Sequence, residues 1–247
     1  MAIKGFPDGF LWGAATSSQQ IEGGRDAGGR SESMWDRFAA QSGKISDGSV
    51  PDVTCDHYHR WREDIELMTW LGLDAYRFSI AWPRILPDGR GRPNAQGLDF
   101  YDALVDGLLE AGLRPFPTLN HWDLPQALQD EGGWTNRATV DAFAEYAEVV
   151  AARLGDRVHN WITHNEPFVP SLLSYFEGEH PPAVRDLKRA LEVSKQILLS
   201  HGLAVQAFRE EQIRGKIGLS TIFFPVHAAG EGQEDQAARL RYDGYFH

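Results

Sequence analysis

Short apolar segments alternate with longer amphipathic ones along the chain, and this alternation limits the fold more than any other feature of the sequence. The short segments have the β-branched and aromatic content of strands, and the longer ones carry apolar residues at helical spacing. The predicted strands are 9–17, 75–82, 114–122, 158–165 and 216–226, and the predicted helices are 60–73, 94–113, 135–154, 186–212 and 234–247. Near-continuous apolar strands that alternate with helices predict a parallel sheet covered by helices.

Two α/β architectures have this order of elements, the doubly wound sheet and the (β/α)8 barrel. The first and fifth predicted strands begin at residues 9 and 216, so one βα unit takes about 52 residues and eight units need on the order of 400, within the range of a barrel. A doubly wound sheet normally has a glycine-rich phosphate turn after its first strand. The glycine-rich stretch 23–29 lacks that pattern and does not open a helix. The residues favour the barrel but leave both architectures open.

Charge and hydropathy exclude several classes of partner. The 247 residues include 24 Lys and Arg against 35 Asp and Glu, a formal net charge of −11. This balance argues against nucleic acid as a partner, because phosphate contacts need clustered cations. No stretch approaches the ~18 consecutive apolar residues of a membrane span, and the first residues lack the apolar run of a signal peptide. We therefore expect a cytoplasmic protein with no membrane partner.

The sequence gives no reason to expect a metal or another cofactor. The single cysteine, Cys55, excludes an intramolecular disulfide and a thiolate cluster. His57 and His59 are two residues apart, which is not the helical spacing of two histidine ligands, and no carboxylate completes a ligand set. A structural role is the better interpretation of both histidines.

One carboxylic acid stands where chemistry is expected in a barrel. Glu166 follows directly on the fourth predicted strand and precedes Pro167, which places it at the C-terminal mouth where barrel enzymes have their active sites. Asn165 beside it offers a donor and an acceptor. Taken alone, Glu166 is better explained as a solvated or ion-paired loop carboxylate, so a catalytic interpretation depends on the other strand ends.

Polar side chains recur at those other ends. Gln20 follows the first predicted strand, Arg77 lies on the second, and His121 and Trp122 close the third. Hydrogen-bonding groups together with indole rings at one rim suit a polyhydroxylated ligand such as a sugar. Arg77 also needs an anionic partner if it is buried, and none is obvious nearby in the sequence.

The tryptophans divide into two groups by position. The residues expected in the core are Trp70, Trp82 and Trp161, because they lie within predicted helices or strands. Trp122 and Trp134 lie in loops and are equally well explained as core or as site residues.

Four sequence motifs resemble one enzyme family. FLWGAATSSQQIEG at 10–23, YRFSIAWP at 76–83, NHWDLP at 120–125 and THNEP at 163–167 are similar, in this order, to motifs of glycoside hydrolase family 1, the retaining β-glucosidases. The resemblance covers essentially all 247 residues, with Gln19 a mild departure at a position where an aromatic residue is commoner. It implies a TIM barrel, of which this chain supplies about the first five βα units, and makes residues 1–247 the N-terminal part of a single catalytic domain.

The resemblance also implies a role for each rim residue. Glu166 resembles the general acid/base, and Arg77 resembles the arginine that orients the nucleophile. The residues that resemble sugar-binding groups of the family are Gln20, His121, Trp122 and Asn165. The implied substrates are glycosides with a nonreducing β-D-glucosyl, galactosyl or fucosyl end, and no cofactor is implied.

The departure from the family pattern is large. The nucleophile belongs to a Glu-Asn-Gly motif on the family's seventh strand, and no Glu-Asn-Gly occurs here. The chain therefore resembles an N-terminal half, which we expect to be active only with a C-terminal half; a silent sugar-binding or scaffold fragment is the alternative. The apolar segments 10–12 and 222–224 lie on the first and fifth strands, whose edges would be unpaired. We therefore expect either a complementary C-terminal chain or self-association.

Overall fold

The computed structural model describes residues 5–246, and its centre is a sheet of five parallel strands. The strands are β1 (Gly13–Ala15), β2 (Ala75–Ser79), β3 (Arg114–Asn120), β4 (Asn160–Asn165) and β5 (Lys216–Ser220). Each strand pairs with its successor in the chain, so the spatial order is β1-β2-β3-β4-β5. A doubly wound sheet reverses its strand order at a switch point. The observed order does not reverse, which is the order of a barrel.

Helices connect the strands and cover the sheet. They are α1 (Ser18–Ile21), α2 (Met34–Ala39), α3 (His57–Trp70), α4 (Trp82–Ile85), α5 (Ala95–Glu110), α6 (Gln126–Asp130), α7 (Arg137–Leu154), α8 (Leu187–Glu210) and α9 (Gln233–Phe246). A 3-10 turn at Gly133–Thr135 precedes α7, and a π-helical segment at Val169–Glu177 follows β4. No helix within residues 5–246 is long and apolar enough to cross a membrane.

Four of the five predicted strands were too long at their C-terminal ends, whereas the fourth ends at Asn165 as predicted. The second one was predicted to reach Trp82, but β2 ends at Ser79 and Trp82 begins α4, with Pro83 in its first turn. The fifth was predicted to reach residue 226, but β5 ends at Ser220. Residues beyond β2, such as Ile80, are fully buried without being in a strand. An apolar run indicates that its residues are buried. Residues at the rim of the sheet are buried outside strands as well, so the runs extend beyond the strands.

The core joins the sheet to α5 and α7 through aromatic rings. Trp82 stacks on Tyr146 with ring centroids 5.0 Å apart, and Phe143 packs edge-on against the same indole. The Tyr146 hydroxyl donates to the carbonyls of Ile80 and Leu119, at 2.9 and 3.0 Å. These bonds attach α7 to the residues that leave β2 and to the end of β3, close to where the site lies.

The structure confirms the burial of two predicted core tryptophans and contradicts that of a third. Trp82 and Trp161 are buried as expected, but Trp70 is 79% exposed, so its prediction as a core residue was wrong. Trp70 is the last residue of α3, where its ring extends beyond the helices that cover the sheet. Trp134 is buried in the core, where it packs against Trp82 and Phe143.

The edge strands are less covered than the central ones. All three residues of β1 are exposed, and no residue of β5 is fully buried. Beside β1, the rings of Phe6, Phe10 and Trp12 contact one another with centroids 4.5–4.9 Å apart and stay exposed. We call these three residues the β1 edge cluster. Segment 222–224 was predicted within the fifth strand but lies beyond it.

Candidate active site

The ends of β2 and β4 bring a guanidinium, an amide and a carboxylic acid together. Asn165 is the last residue of β4 and is buried, and its Oδ1 accepts a 2.5 Å hydrogen bond from Arg77 Nη2. Arg77 Nε donates to Thr118 Oγ1 at 3.1 Å. Because a guanidinium can only donate, this contact fixes which end of the Asn165 amide is oxygen.

Arg77 has no ion pair among residues 5–246. Burial lowers the pKa of its guanidinium, and the nearby negative charge of Glu166 opposes that effect. A half-buried cation that contacts only neutral side chains is costly. An anionic partner for Arg77 outside the described residues stays a prediction.

His121 lies on the other side of the same amide. The Asn165 Nδ2 group faces His121 Nε2 at 3.1 Å. Since the amide donates there, the neutral imidazole carries its proton on Nδ1. Burial, with a contribution from the Arg77 charge, lowers the pKa of His121 to about 4, so the ring is neutral at pH 7. Nδ1 is buried and has no hydrogen-bond partner among the described residues.

Trp122 has an unusual backbone conformation. Its φ is +77°, which bulky residues rarely adopt. The indole Nε1 donates to the carbonyl of Asn165 at 2.9 Å, and the ring packs against His121 at 4.9 Å and His180 at 5.7 Å. Strained residues of this kind concentrate at functional sites. The indole is therefore held against the residues that end β4.

Glu166 also has positive φ, at +46°. Its backbone N–H donates to the carbonyl of Ser220 at the end of β5, at 2.7 Å, and its carbonyl accepts from Val169 at 2.8 Å. The residue as a whole is half-buried. Backbone hydrogen bonds on both sides thus fix the direction in which the carboxylic acid leaves the strand, as expected for a group whose position matters.

Three of the predicted sugar-binding residues line one cavity of about 590 Å³. These are Gln20 on α1, together with His121 and Trp122 after β3. Gln20 is exposed to the cavity side, whereas its neighbour Gln19 donates to Asp36 Oδ1 at 2.9 Å and is partly buried. Five of the six predicted residues lie at or after the carboxyl ends of strands, and Arg77 is the middle residue of β2. Hydrogen bonds bring Arg77, His121 and Trp122 together around Asn165, whereas Gln20 shares only the cavity with His121 and Trp122.

Sequence reasoning missed other residues of this cavity. Trp35 and His180 line it as well, and their rings are 5.1 Å apart. The reciprocal hydrogen bonds between Ser33 and Asp36 form a capping box that begins α2, and this pattern would have located Trp35. His180 follows the π-helical segment in an irregular loop, and no sequence pattern marks it.

Asp123 lies in the NHWDLP motif, and the sequence did not indicate a role for it. It is fully buried, accepts from Ser18 Oγ at 2.7 Å, and burial raises its pKa to about 6. Ser18 precedes Gln20 by two residues, and its backbone N–H donates to Ser79 Oγ at 2.7 Å. The ends of β1, β2 and β3 are thereby connected beneath the cavity. Within residues 5–246, no group of three or more His, Cys, Asp or Glu is arranged to hold a metal ion.

Parallel strands in chain order, with an acid, an amide and aromatic rings at their carboxyl ends, define an α/β-barrel protein with its site at the C-terminal face. The chain belongs to glycosyl hydrolase family 1, whose family model matches residues 2–245. It is 53% identical over 238 residues to "Beta-glucosidase A" of Acetivibrio thermocellus, an alignment that covers 96% of this chain and 53% of that protein. It is 50% identical over 235 residues to "Beta-glucosidase A" of Thermotoga maritima, covering 95% and 53%.

Solved structures of the family confirm the fold. The family 1 β-glucosidase from Thermotoga maritima superposes with a TM-score of 0.96 at 48% identity, covering all of this chain and 55% of that one. Its complex with deoxynojirimycin gives 0.95 at 48% identity, over 99% of this chain and 55% of that one. The five strands are thus the first five βα units of a (β/α)8 barrel, and the chain spans about half the length of the relatives it matches.

Proposed function

We propose that this chain supplies the acid/base half of a retaining β-glycosidase that acts on nonreducing β-D-glucosyl ends. The observation that carries the proposal is the pair Asn165–Glu166 at the end of β4. Asn165 is held by hydrogen bonds to Arg77, His121 and Trp122, and the Glu166 backbone is held by Ser220 and Val169. Several similar proteins are named β-glucosidases, and one solved relative binds deoxynojirimycin. Galactosyl and fucosyl ends belong to the same proposal.

The proposed mechanism uses two carboxyl groups about 5–5.5 Å apart, the spacing of retaining enzymes. Glu166 protonates the leaving oxygen while a carboxylate from outside this chain attacks C1, which forms a glycosyl-enzyme intermediate. Glu166 then deprotonates the water that hydrolyses it. The guanidinium of Arg77, which has no ion pair among residues 5–246, is suited to orient and stabilise that second carboxylate.

The sugar-binding part of the proposal uses donors that the chain leaves unused. The Asn165 amide has a second N–H besides the one that faces His121, and we assign it to the sugar 2-hydroxyl. His121 Nδ1–H is buried and has no partner within residues 5–246, and a sugar hydroxyl at the 3- or 4-position would satisfy it. Gln20 lines the same cavity and offers a donor and an acceptor, and the Trp122 ring offers a face for the C–H surface.

A complementary C-terminal half is the partner that we propose. It would add three βα units, cover β1 and β5, and bring the nucleophile toward Arg77. The exposed β1 edge cluster and the largely half-buried β5 are the surfaces that such a half would bury. Self-association across the same edges is the alternative, but it would cover the edges without adding a nucleophile. The cytoplasmic location expected from the sequence stays a prediction.

Labelling with 2-deoxy-2-fluoro-β-glucosyl fluoride tests the proposal against a silent sugar-binding fragment. This reagent forms a stable ester with a retaining nucleophile, which intact-mass spectrometry detects. We expect no label on this chain alone, and label on the C-terminal polypeptide when the two are mixed. The Glu166→Gln chain in the same mixture should still allow labelling, because fluoride leaves without protonation. A mixture that assembles but never becomes labelled would favour the silent fragment.

A further inference from the structure

The end of β4 contains one residue more than its partner strand. Ile162 pairs with Gly218 and Asn165 pairs with Ser220, so three steps along β4 match two steps along β5. This is the geometry of a β-bulge, which bends a strand and redirects a side chain. In a regular strand, side chains alternate between the two faces. The bulge lets the two residues that follow Ile162, which are Thr163 and His164, lie on the same face of the sheet.

The hydrogen bonds show which face that is. Thr163 Oγ1 and His201 Nδ1 are 2.8 Å apart, and His164 Nε2 and Ser200 Oγ are 2.9 Å apart. His201 and Ser200 are both on α8, so both strand residues face the helices. Asn165 then faces the opposite side, where it meets Arg77. Without the extra residue, Asn165 would face the helices.

His164 has a hydrogen-bond partner on each ring nitrogen. Asn120 Nδ2 lies 3.0 Å from Nδ1, and Ser200 Oγ lies 2.9 Å from Nε2. The Ser200 hydroxyl donates its only proton to the carbonyl of Ile197 at 2.8 Å, so it accepts from Nε2–H. Nδ1 is then the acceptor for the Asn120 amide. All three side chains are fully buried, and burial lowers the pKa of His164 to about 3, with His201 as a smaller cause.

Aromatic rings restrict the remaining motion of the imidazole. Phe143 on α7 stacks on it with centroids 4.4 Å apart, and Trp134 packs edge-on at 5.5 Å. The ring therefore lies among β3, α7 and α8, and each of them contacts it directly. Displacing the imidazole would shift the backbone of the two residues that follow it.

We infer that His164 is a positioning residue, whose hydrogen bonds to Asn120 and Ser200 hold the β4 bulge and thereby turn Asn165 and Glu166 toward the site. It touches no substrate and acts through its neighbours in the chain. The roles of Asn165 and Glu166 in this inference rest on the proposed function. Their positions do not.

Nuclear magnetic resonance of the whole ¹⁵N-labelled chain tests the geometry without turnover. At pH 7 we expect the His164 ring to be neutral with its proton on Nε2. The variant Ser200→Ala removes the acceptor of that proton and should shift the Asn165 side-chain amide resonance, which is identified by its loss in Asn165→Asp. The matched control is Ser194→Ala on the same helix, since the Ser194 hydroxyl donates to the carbonyl of Ala190 and has no other partner among the described residues. It should leave the Asn165 resonance in place.

A second pair of variants separates positioning from packing. His164→Gln keeps a donor and an acceptor and should hold the Asn165 amide near its native resonance, whereas His164→Leu keeps bulk alone and should displace it. An Asn165 resonance that does not move in Ser200→Ala, or a His164 ring with its proton on Nδ1, would overturn the inference. If His164→Leu does not fold, the two serine variants still decide. Failure of the labelling experiment would leave these spectra unaffected, so the two proposals fail separately.

Discussion

The middle of the sheet and its two edges differ in how completely this chain covers them. In β2, the residues on both sides of Arg77 are buried, and the C-terminal halves of β3 and β4 are buried as well. The three residues of β1 are exposed, and β5 ranges from half-buried to exposed. The central strands are thus already packed, whereas the edge strands lack the neighbours that a closed barrel provides.

The site follows the same division. Arg77, His121 and Asn165 belong to the packed centre and contact one another. Gln20 follows the exposed β1, and the Glu166 N–H depends on a carbonyl at the end of β5. This chain alone therefore positions one side of the proposed sugar site, while the outer parts of that site lie at the edge strands.

The largest effect is expected at Glu166, where the packed centre meets the β5 edge. In the chain assembled with its C-terminal half, Glu166→Ala should slow glycosides with poor leaving groups by about 10²–10⁴-fold, because those need protonation. Aryl glycosides with activated leaving groups should be affected far less, and added azide should be converted to β-glycosyl azide. Steady-state kinetics on both substrates checks this. Equal losses on both, with no azide product, would remove Glu166 from the role of acid/base.

The second effect contrasts the same substitution in the two regions. Trp82 is fully buried in the centre, and Trp12 of the β1 edge cluster is 51% exposed. Trp82→Ala should lower the free energy of unfolding of the chain by about 3–5 kcal/mol, whereas Trp12→Ala should change it by well under that amount. Urea unfolding measures both. Trp12→Ala should instead weaken binding of the C-terminal half, and similar unfolding losses in the two variants would contradict the division.

Much of this division could be predicted from the sequence, but not all of it. The starts of β2, β3 and β5 and the place of Glu166 directly after β4 followed from apolar runs that end in polar motifs. The end of β2 did not follow, since Ile80 and Trp82 are buried outside any strand. The exposure of Trp70 at the end of α3 and the contact of His164 with Ser200 depend on tertiary placement and on a bulge that no local pattern encodes.

The third effect tests the β1 side of the site. In the assembled enzyme, Gln20→Ala should cost about 1–3 kcal/mol of transition-state stabilisation, because sugar hydroxyls lose a partner. The loss should appear in kcat/KM for glucosides and shrink for a 4-deoxy glucoside. Gln19→Ala is the neighbouring control, since the Gln19 amide donates to Asp36 and accepts from Arg30 within the protein. Unchanged kcat/KM in Gln20→Ala would exclude the proposed role.

The smallest effect is expected in the pH dependence of stability, because buried groups of the centre act in opposite directions. The pKa of His121 is lowered to about 4 and that of His164 to about 3, so their contribution is complete above the unfolded value near 6.5 and is lost as the pH falls toward those values. The pKa of Asp123 is raised to about 6, so its contribution instead decreases as the pH rises from about 4 to 6.

Urea unfolding at pH 7, 5.5 and 4.5 measures the balance of these groups. We expect a modest net loss of stability on acidification. The two histidines lose their stabilising contribution as the pH falls, and this outweighs the contribution that Asp123 gains. Asp123→Asn removes the opposing group and should make the loss steeper. A chain whose stability rises on acidification, or an Asp123→Asn variant with a shallower profile, would contradict these pKa directions.

Light scattering combined with hydrolysis of p-nitrophenyl β-glucoside tests the central claim most directly. The claim is that one complementary polypeptide would both cover the exposed edge strands and complete the site. This chain alone does neither. We predict that the purified chain either associates or binds a complementary polypeptide, and that hydrolysis appears only when that polypeptide is present. A monodisperse monomer of 27.6 kDa that hydrolyses the substrate with no second polypeptide on a gel would contradict the account.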